Sequence, residues 1–196
     1  MGRPRLHDED TRAELLATAE RLVAEGGPDA LSVRTVAEGA GTTTRAVYSL
    51  FGSKGGLVQA LAQHTYQLLM DRVAAVPLTD DPRADLVTGS VDGFRAFTLE
   101  HPDLFLHFFS IQRPALNADA ESTRQSAYGQ LVARVARARD AGCLGTQTIE
   151  RVTLLLDVMC SGLALREICG RIDRDEAELV WTESIGALLD GLRSAD

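Results

Sequence analysis

LSVRTVAEGAGTTTRAVYSLFGSKGGL, Leu31 to Leu57, reads as two short helices joined by a glycine turn, with the first residues of a third behind them. Ser32 is suited to cap the first helix, because its hydroxyl oxygen can accept a bond from one of the unpaired N–H groups there. Val33, Val36, Ala37 and Ala40 follow at i, i+3, i+4 and i+7, one apolar face of a two-turn helix. Gly41 supplies the left-handed backbone of a tight turn. Thr43 caps the second helix, in which Val47 and Phe51 lie one turn apart and face inward. Thr44, Arg45, Tyr48 and Ser49 are then left on the outer face. Gly52 stops that helix, and Ser53-Lys54 opens a longer one. Two short helices crossing at a glycine turn, polar and basic on the outside, make a helix-turn-helix. The expected partner of such a face is duplex DNA.

The same stretch resembles the tetracycline-repressor-like transcriptional regulators. The matching pieces are Leu31-Ser32-Val33-Arg34, Val36-Ala37, Ala40-Gly41, Val47-Tyr48, Phe51 and Ser53-Lys54, followed by Leu57. The match extends from about Thr11 to Leu61, and its specificity comes from many fixed spacings holding together. Two positions depart from the family pattern. Gly55 stands where an acidic residue usually follows the lysine, and Leu50 where an aromatic or histidine usually precedes the phenylalanine. The glycine pair Gly55-Gly56 is expected to weaken the first turn of the fourth helix, by up to ~1 kcal/mol per glycine relative to alanine.

Side-chain chemistry divides the outer face by role. Arg45 can pair bidentately with guanine in the major groove, and Thr44 can bond a base edge or touch a thymine methyl. Tyr48 and Lys54 suit phosphate contacts that fix register. Thr43 can cap and touch phosphate, Ser49 lies beside Tyr48, and Arg34 on the preceding helix can reach phosphate or base. Arg3-Pro4-Arg5 is a basic, proline-stiffened tail, either a disordered terminus or an arm against phosphate or the minor groove.

The net charge of −8 fits a DNA binder only once it is divided along the chain. Residues 1–60 hold seven basic against eight acidic side chains, so the remainder carries −7. Within residues 30–57, Arg34, Arg45 and Lys54 face Glu38 alone, for +2. Cations are concentrated where one face meets phosphate. Length and composition point to an all-α chain with a small head and a larger second domain. The division expected is 1–53 for the helix-turn-helix domain and 54–196 for ligand binding and dimerisation, the latter roles being what the resemblance implies.

Cys143, Cys160 and Cys169 lack metal-site spacing and read as buried reduced thiols, which with the absence of a signal-like or membrane-length apolar stretch predicts a cytoplasmic protein away from membranes. His101 and His107 are six apart across Pro102, not the i, i+4 spacing that aims two ligands from one helical face, so no metal or cofactor is expected. No nucleophile elbow, phosphate loop or carboxylate pair suggests an enzyme.

Helices are expected from Asp8 to Gly26, from Lys54 to about Val76, and over 83–100, 103–112, 118–141, 147–170 and 174–193. Two features stand out in the second half. Phe94, Phe97, Phe105, Phe108 and Phe109 are five of the six phenylalanines. They read first as core and second as walls of an apolar cavity, with His107 as a polar hook. Tyr128 and Met159, and by helix position Tyr66, Met70 and Trp181, are further candidates for that wall. The last two helices are apolar around more of their girth than one core can use: Leu154-Leu155-Leu156, Val158-Met159, Leu163-Ala164-Leu165 and Ile168 need a second partner. Members of the family resembled here dimerise through their last two helices, so a homodimer is implied. The resemblance further implies a repressor that binds a near-palindromic operator and is released by a small-molecule effector. An activator, or a regulator answering a protein partner, fits the same residues. A helical enzyme is the reading from another class.

Overall fold

In a computed structural model of the chain, residues 5–109 and 115–193 are described, with residues 5–7 and 28 described by their backbone alone. Every regular element among them is helical: α1 (Arg5–Gly26), α2 (Val33–Gly39), α3 (Thr44–Phe51), α4 (Lys54–Ala74), α5 (Pro82–Thr88), α6 (Ala96–Glu100), α7 (Pro102–Phe108), α8 (Ala118–Asp140), α9 (Ile149–Ile168) and α10 (Arg174–Arg193). A 3₁₀ turn, Pro28–Ala30, precedes α2, and a π-helical segment, Gly89–Arg95, joins α5 to α6 without a break. The described residues divide into two compact units, one drawn from residues 5–66, 103–109 and 115–123, the other from residues 67–102 and 124–193.

In the first unit, α1 places Leu15, Leu16, Ala19 and Val23 in the core, with Leu31, Val36, Ala37, Val47, Leu57 and Leu61. Burying a large apolar side chain is worth roughly 1.5–3 kcal/mol, so this apolar set, not helix propensity, holds the short helices α2 and α3 against α1 and α4. Phe51 is half-buried, and the Arg12 guanidinium lies over its ring at 5.6 Å. The first helix starts at Arg5 rather than Asp8. Gln59 ties down the stretch before α8, donating to the Ala115 carbonyl at 2.8 Å and accepting from the Asn117 N–H at 2.7 Å.

The second unit is organised by buried charge as well as apolar packing. Trp181, Ile185, Leu189, Leu156, Val152, Leu86 and Phe97 are each 1% exposed or less. α4 ends at Ala74 rather than Val76 because the Arg134 guanidinium takes the terminal carbonyls, Val73 at 2.9 Å and Val76 at 2.8 Å. Glu167, next to the last residue of α9, accepts from Arg95 at 2.8–3.2 Å and from the Trp181 indole N–H at 2.8 Å. His101-Pro102 breaks the chain as expected, with α7 starting on Pro102, where the missing N–H costs nothing. The expectation that all three cysteines are buried holds only for Cys160, whose thiol desolvation pushes up to about 11. Cys143 is half-buried, and Cys169, in the cap beyond α9, is exposed because the helix has ended.

Candidate DNA-binding face

Each turn of the helix-turn-helix is held by hydrogen bonds the sequence supplies. The Ser32 hydroxyl oxygen accepts from the Thr35 N–H at 3.0 Å, and the Ser32 N–H donates to the Thr35 hydroxyl at 3.0 Å, a reciprocal capping box. α2 ends in a Schellman motif. The Thr42 N–H reaches the Ala37 carbonyl at 2.9 Å and the Gly41 N–H the Glu38 carbonyl at 3.2 Å, which needs Gly41 at φ 62°. The Thr43 side chain then accepts from the Ala46 N–H at 3.2 Å and starts α3. With both ends fixed, α3 is a rigid two-turn helix whose Val47 is fully buried.

The residues assigned to DNA lie together on what remains exposed. Thr43, Thr44, Arg45, Tyr48 and Ser49 are all exposed on α3 and its cap, and Lys54 is exposed at the start of α4. Thr43 uses its oxygen as the cap acceptor, leaving the hydroxyl hydrogen to donate elsewhere. No ion pair among the described residues holds Arg45 or Lys54. Arg34 differs: its Nε donates to Glu38 at 2.7 Å, a pairing that raises its pKa. Arg3 lies outside the described residues, as does the Arg5 side chain. Gly56 allows the junction between α3 and α4, since a Cβ there would meet the Phe51 carbonyl oxygen at 1.9 Å. The glycine expected only to weaken α4 is therefore required by it.

The residues assigned to a ligand fall in both units. In the first unit Phe105 stacks on Phe109 at 5.5 Å, and Phe109 tilts on Tyr66 at 5.0 Å. The Tyr66 hydroxyl donates to the Phe108 carbonyl at 3.0 Å. His107 lies edge-on to the fully buried Phe108, and burial lowers its pKa. In the second unit Phe94 lies 6.5 Å from Trp181, and Phe97, fully buried, lies 5.7 Å from His101. Tyr128 is exposed on α8 and Met159 half-buried on α9. The second unit also holds an open cleft of about 360 Å³ whose lining includes Arg72, Val76, Pro77, Asp92, Arg95 and Leu99. None of these was singled out from the sequence: Asp92 and Arg95 lie in a π-helical turn, which has no periodicity signature, and Glu167 is one of three acids in α9.

Among the described residues, no group of His, Cys, Asp and Glu is placed to hold a metal ion, and no helix is long and apolar enough to cross a membrane.

Residues 15–61 match the family model described as bacterial regulatory proteins, tetR family. No curated protein matches the chain significantly. Among solved structures, a protein of unknown function from a Rhodococcus species is 24% identical over 94% of this chain and 96% of its own, with a TM-score of 0.83. A TetR transcription regulator from Haloarcula marismortui is 22% identical over 94% of this chain and 98% of its own, with a TM-score of 0.75. A TetR variant from Acinetobacter baumannii in complex with minocycline is 21% identical over 92% of this chain and 97% of its own, with a TM-score of 0.62. The family model matches from within α1 through the capped helix pair into α4. Residues 15–61 thus carry the match to the tetR family model, and the chain as a whole shares the fold of the TetR structures it resembles.

Proposed function

We propose that this chain is a transcriptional repressor that binds a near-palindromic operator as a homodimer and is released by a small, mainly apolar ligand. The observation that carries the DNA half is the exposed row Thr44, Arg45, Tyr48 and Ser49 on a short helix capped at both ends, beside an exposed Lys54. In this reading residues 1–53 meet DNA, with Arg45 and Thr44 reading bases and Thr43, Tyr48, Lys54 and Arg34 positioning on phosphate. Residues 54–196 dimerise and sense. Two-fold symmetry then sets two α3 helices in successive major grooves.

The dimer reading rests on α9 and α10. Leu154, Val158 and Leu165 form an exposed apolar row on α9, and Leu179 is 59% exposed on α10. The ligand reading rests on the ring stack Tyr66, Phe109 and Phe105 with half-buried His107, and on the minocycline bound by a protein of similar fold. Phe94, Phe97, Phe108, Tyr128 and Met159 belong to the same assignment. A ligand shifts the protein only by its differential affinity for the bound and released states.

The test is a titration of the protein onto DNA from upstream of its own gene and its neighbours, followed by addition of ring-bearing apolar compounds. A salt-dependent shift confined to one upstream segment, reversed by a compound that also raises the melting temperature, is the expected result. Binding that such compounds never reverse counts against the effector, and equal binding to every segment counts against an operator nearby.

A further inference from the structure

Glu38 is the only acid among residues 30–57, which carry Arg34, Arg45 and Lys54. It lies on the exposed side of α2, 64% exposed, and its Oε1 accepts from the Nε of Arg34, 81% exposed, at 2.7 Å. Helix stability does not explain the order of this pair. The macrodipole favours an anion in the first turn and a cation in the last, and an i, i+4 pair is better with the acid first. Here Arg34 stands in the first turn and Glu38 next to the last residue of a seven-residue helix already held by a capping box and a Schellman motif. The effect of the pair falls instead on the charge shown to a duplex. A guanidinium bonded to a carboxylate is neutralised at close range, so a phosphate must displace that carboxylate before Arg34 can release a counterion.

We propose that Glu38 is an internal competitor of DNA phosphate for Arg34: by holding the guanidinium along α2 it lowers affinity for duplex of any sequence and leaves recognition to α3. Glu38 is thus a positioning residue for the DNA face, acting through Arg34. The inference rests on the reading above that the α2–α3 face meets DNA. It also gives the strongly one-sided charge of this segment a function, since a head with three unopposed cations binds bulk DNA more readily.

The experiment uses the full chain and a random-sequence duplex, with affinity measured by fluorescence anisotropy across a salt series. Glu38→Gln keeps the side-chain shape and removes the charge at an exposed site. It is expected to bind several-fold tighter, with the slope of log affinity against log salt steeper by roughly one unit per head. Arg34→Gln is expected to bind more weakly, and Glu38→Gln to give no gain in that background. If Arg34→Gln weakens binding while Glu38→Gln changes nothing, the competition is absent, although the face still meets DNA. An equal gain from Glu38→Gln with and without Arg34 overturns the route through Arg34, leaving plain repulsion of phosphate. Should Arg34→Gln, Arg45→Ala and Lys54→Ala all be silent, the face itself is misassigned and the proposal falls with it.

Discussion

Arg45 and Lys54 are both exposed cations on one face, yet they are expected to fail differently when removed. Arg45 projects from the first turn of α3, where a bidentate guanine contact is worth about 1–3 kcal/mol of discrimination. Arg45→Ala should therefore weaken operator binding by about that amount and relax preference at one base pair per half-site. Lys54→Ala should weaken all duplex alike and flatten the salt dependence by roughly one unit per half-site. Competition binding against operator variants separates the two, and equal losses for Arg45→Ala on operator and random duplex would remove its role as base reader. The adjacent glycines make a second contrast at this scale. A Cβ on Gly55 meets only the Ser53 hydroxyl at 3.6 Å, so Gly55→Ala should stabilise α4 by up to ~1 kcal/mol. A Cβ on Gly56 lands 1.9 Å from the Phe51 carbonyl oxygen, so Gly56→Ala should destabilise by about 1–3 kcal/mol despite its better helix propensity. Thermal melts of the two variants should move in opposite directions. The sequence shows both glycines equally; only the path of the α3–α4 junction tells them apart.

At the scale of elements, buried charge fixes where α4 stops and how α5 begins. Asp85 is 2% exposed and receives the Arg137 guanidinium at 2.6 Å, the Thr79 hydroxyl at 2.8 Å and the Thr79 N–H at 3.0 Å. Burial pushes its pKa upward, but the bonds from Arg137 and Thr79 outweigh that and hold it below the ordinary carboxylate value. A group depressed in the fold contributes stability above its unfolded pKa and loses it as pH falls through the folded one. The contribution of Asp85 should thus be constant from neutral pH down to about 4 and disappear below. Denaturant melts on the acid side should show a shallower fall for Asp85→Asn than for the parent chain, from a lower stability at neutral pH. A parallel fall in both would show that Asp85 does not carry the linkage. None of this was legible beforehand: Asp85, Arg134 and Arg137 look like ordinary charges on ordinary helices, and the partners of both arginines are carbonyls and a carboxylate roughly fifty or more residues away.

At the scale of the whole molecule, the exposed apolar side chains of α9 and α10 are the surface on which the proposed homodimer is tested. Leu189 is fully buried within one chain and Leu155 half-buried, so neither marks the interface cleanly. The exposed row is the sharper place to test the proposed dimer. Leu154→Arg and Val158→Arg, at positions 56% and 62% exposed, should give folded monomers in sedimentation, whereas Leu189→Arg should fail to fold because it buries a charge in the core. A parent chain that sediments as a monomer at working concentration would remove the dimer from the reading. The helix-turn-helix was readable at this scale as well, because its caps, turn glycines and inward residues all act within a dozen positions of one another. Helix limits in the second half followed from proline and glycine punctuation, for the same local reason. Local chemistry by itself therefore determined the all-helical class, the order of the helices and the exposed polar face of α3. Tertiary structure alone decided the π-helical turn at Gly89–Arg95, the pairing of Glu167 with Arg95 and Trp181, and the separation of five phenylalanines into two units. Those outcomes depend on which distant segments compete for the same buried space and the same buried charge, and that competition is settled only when the chain packs.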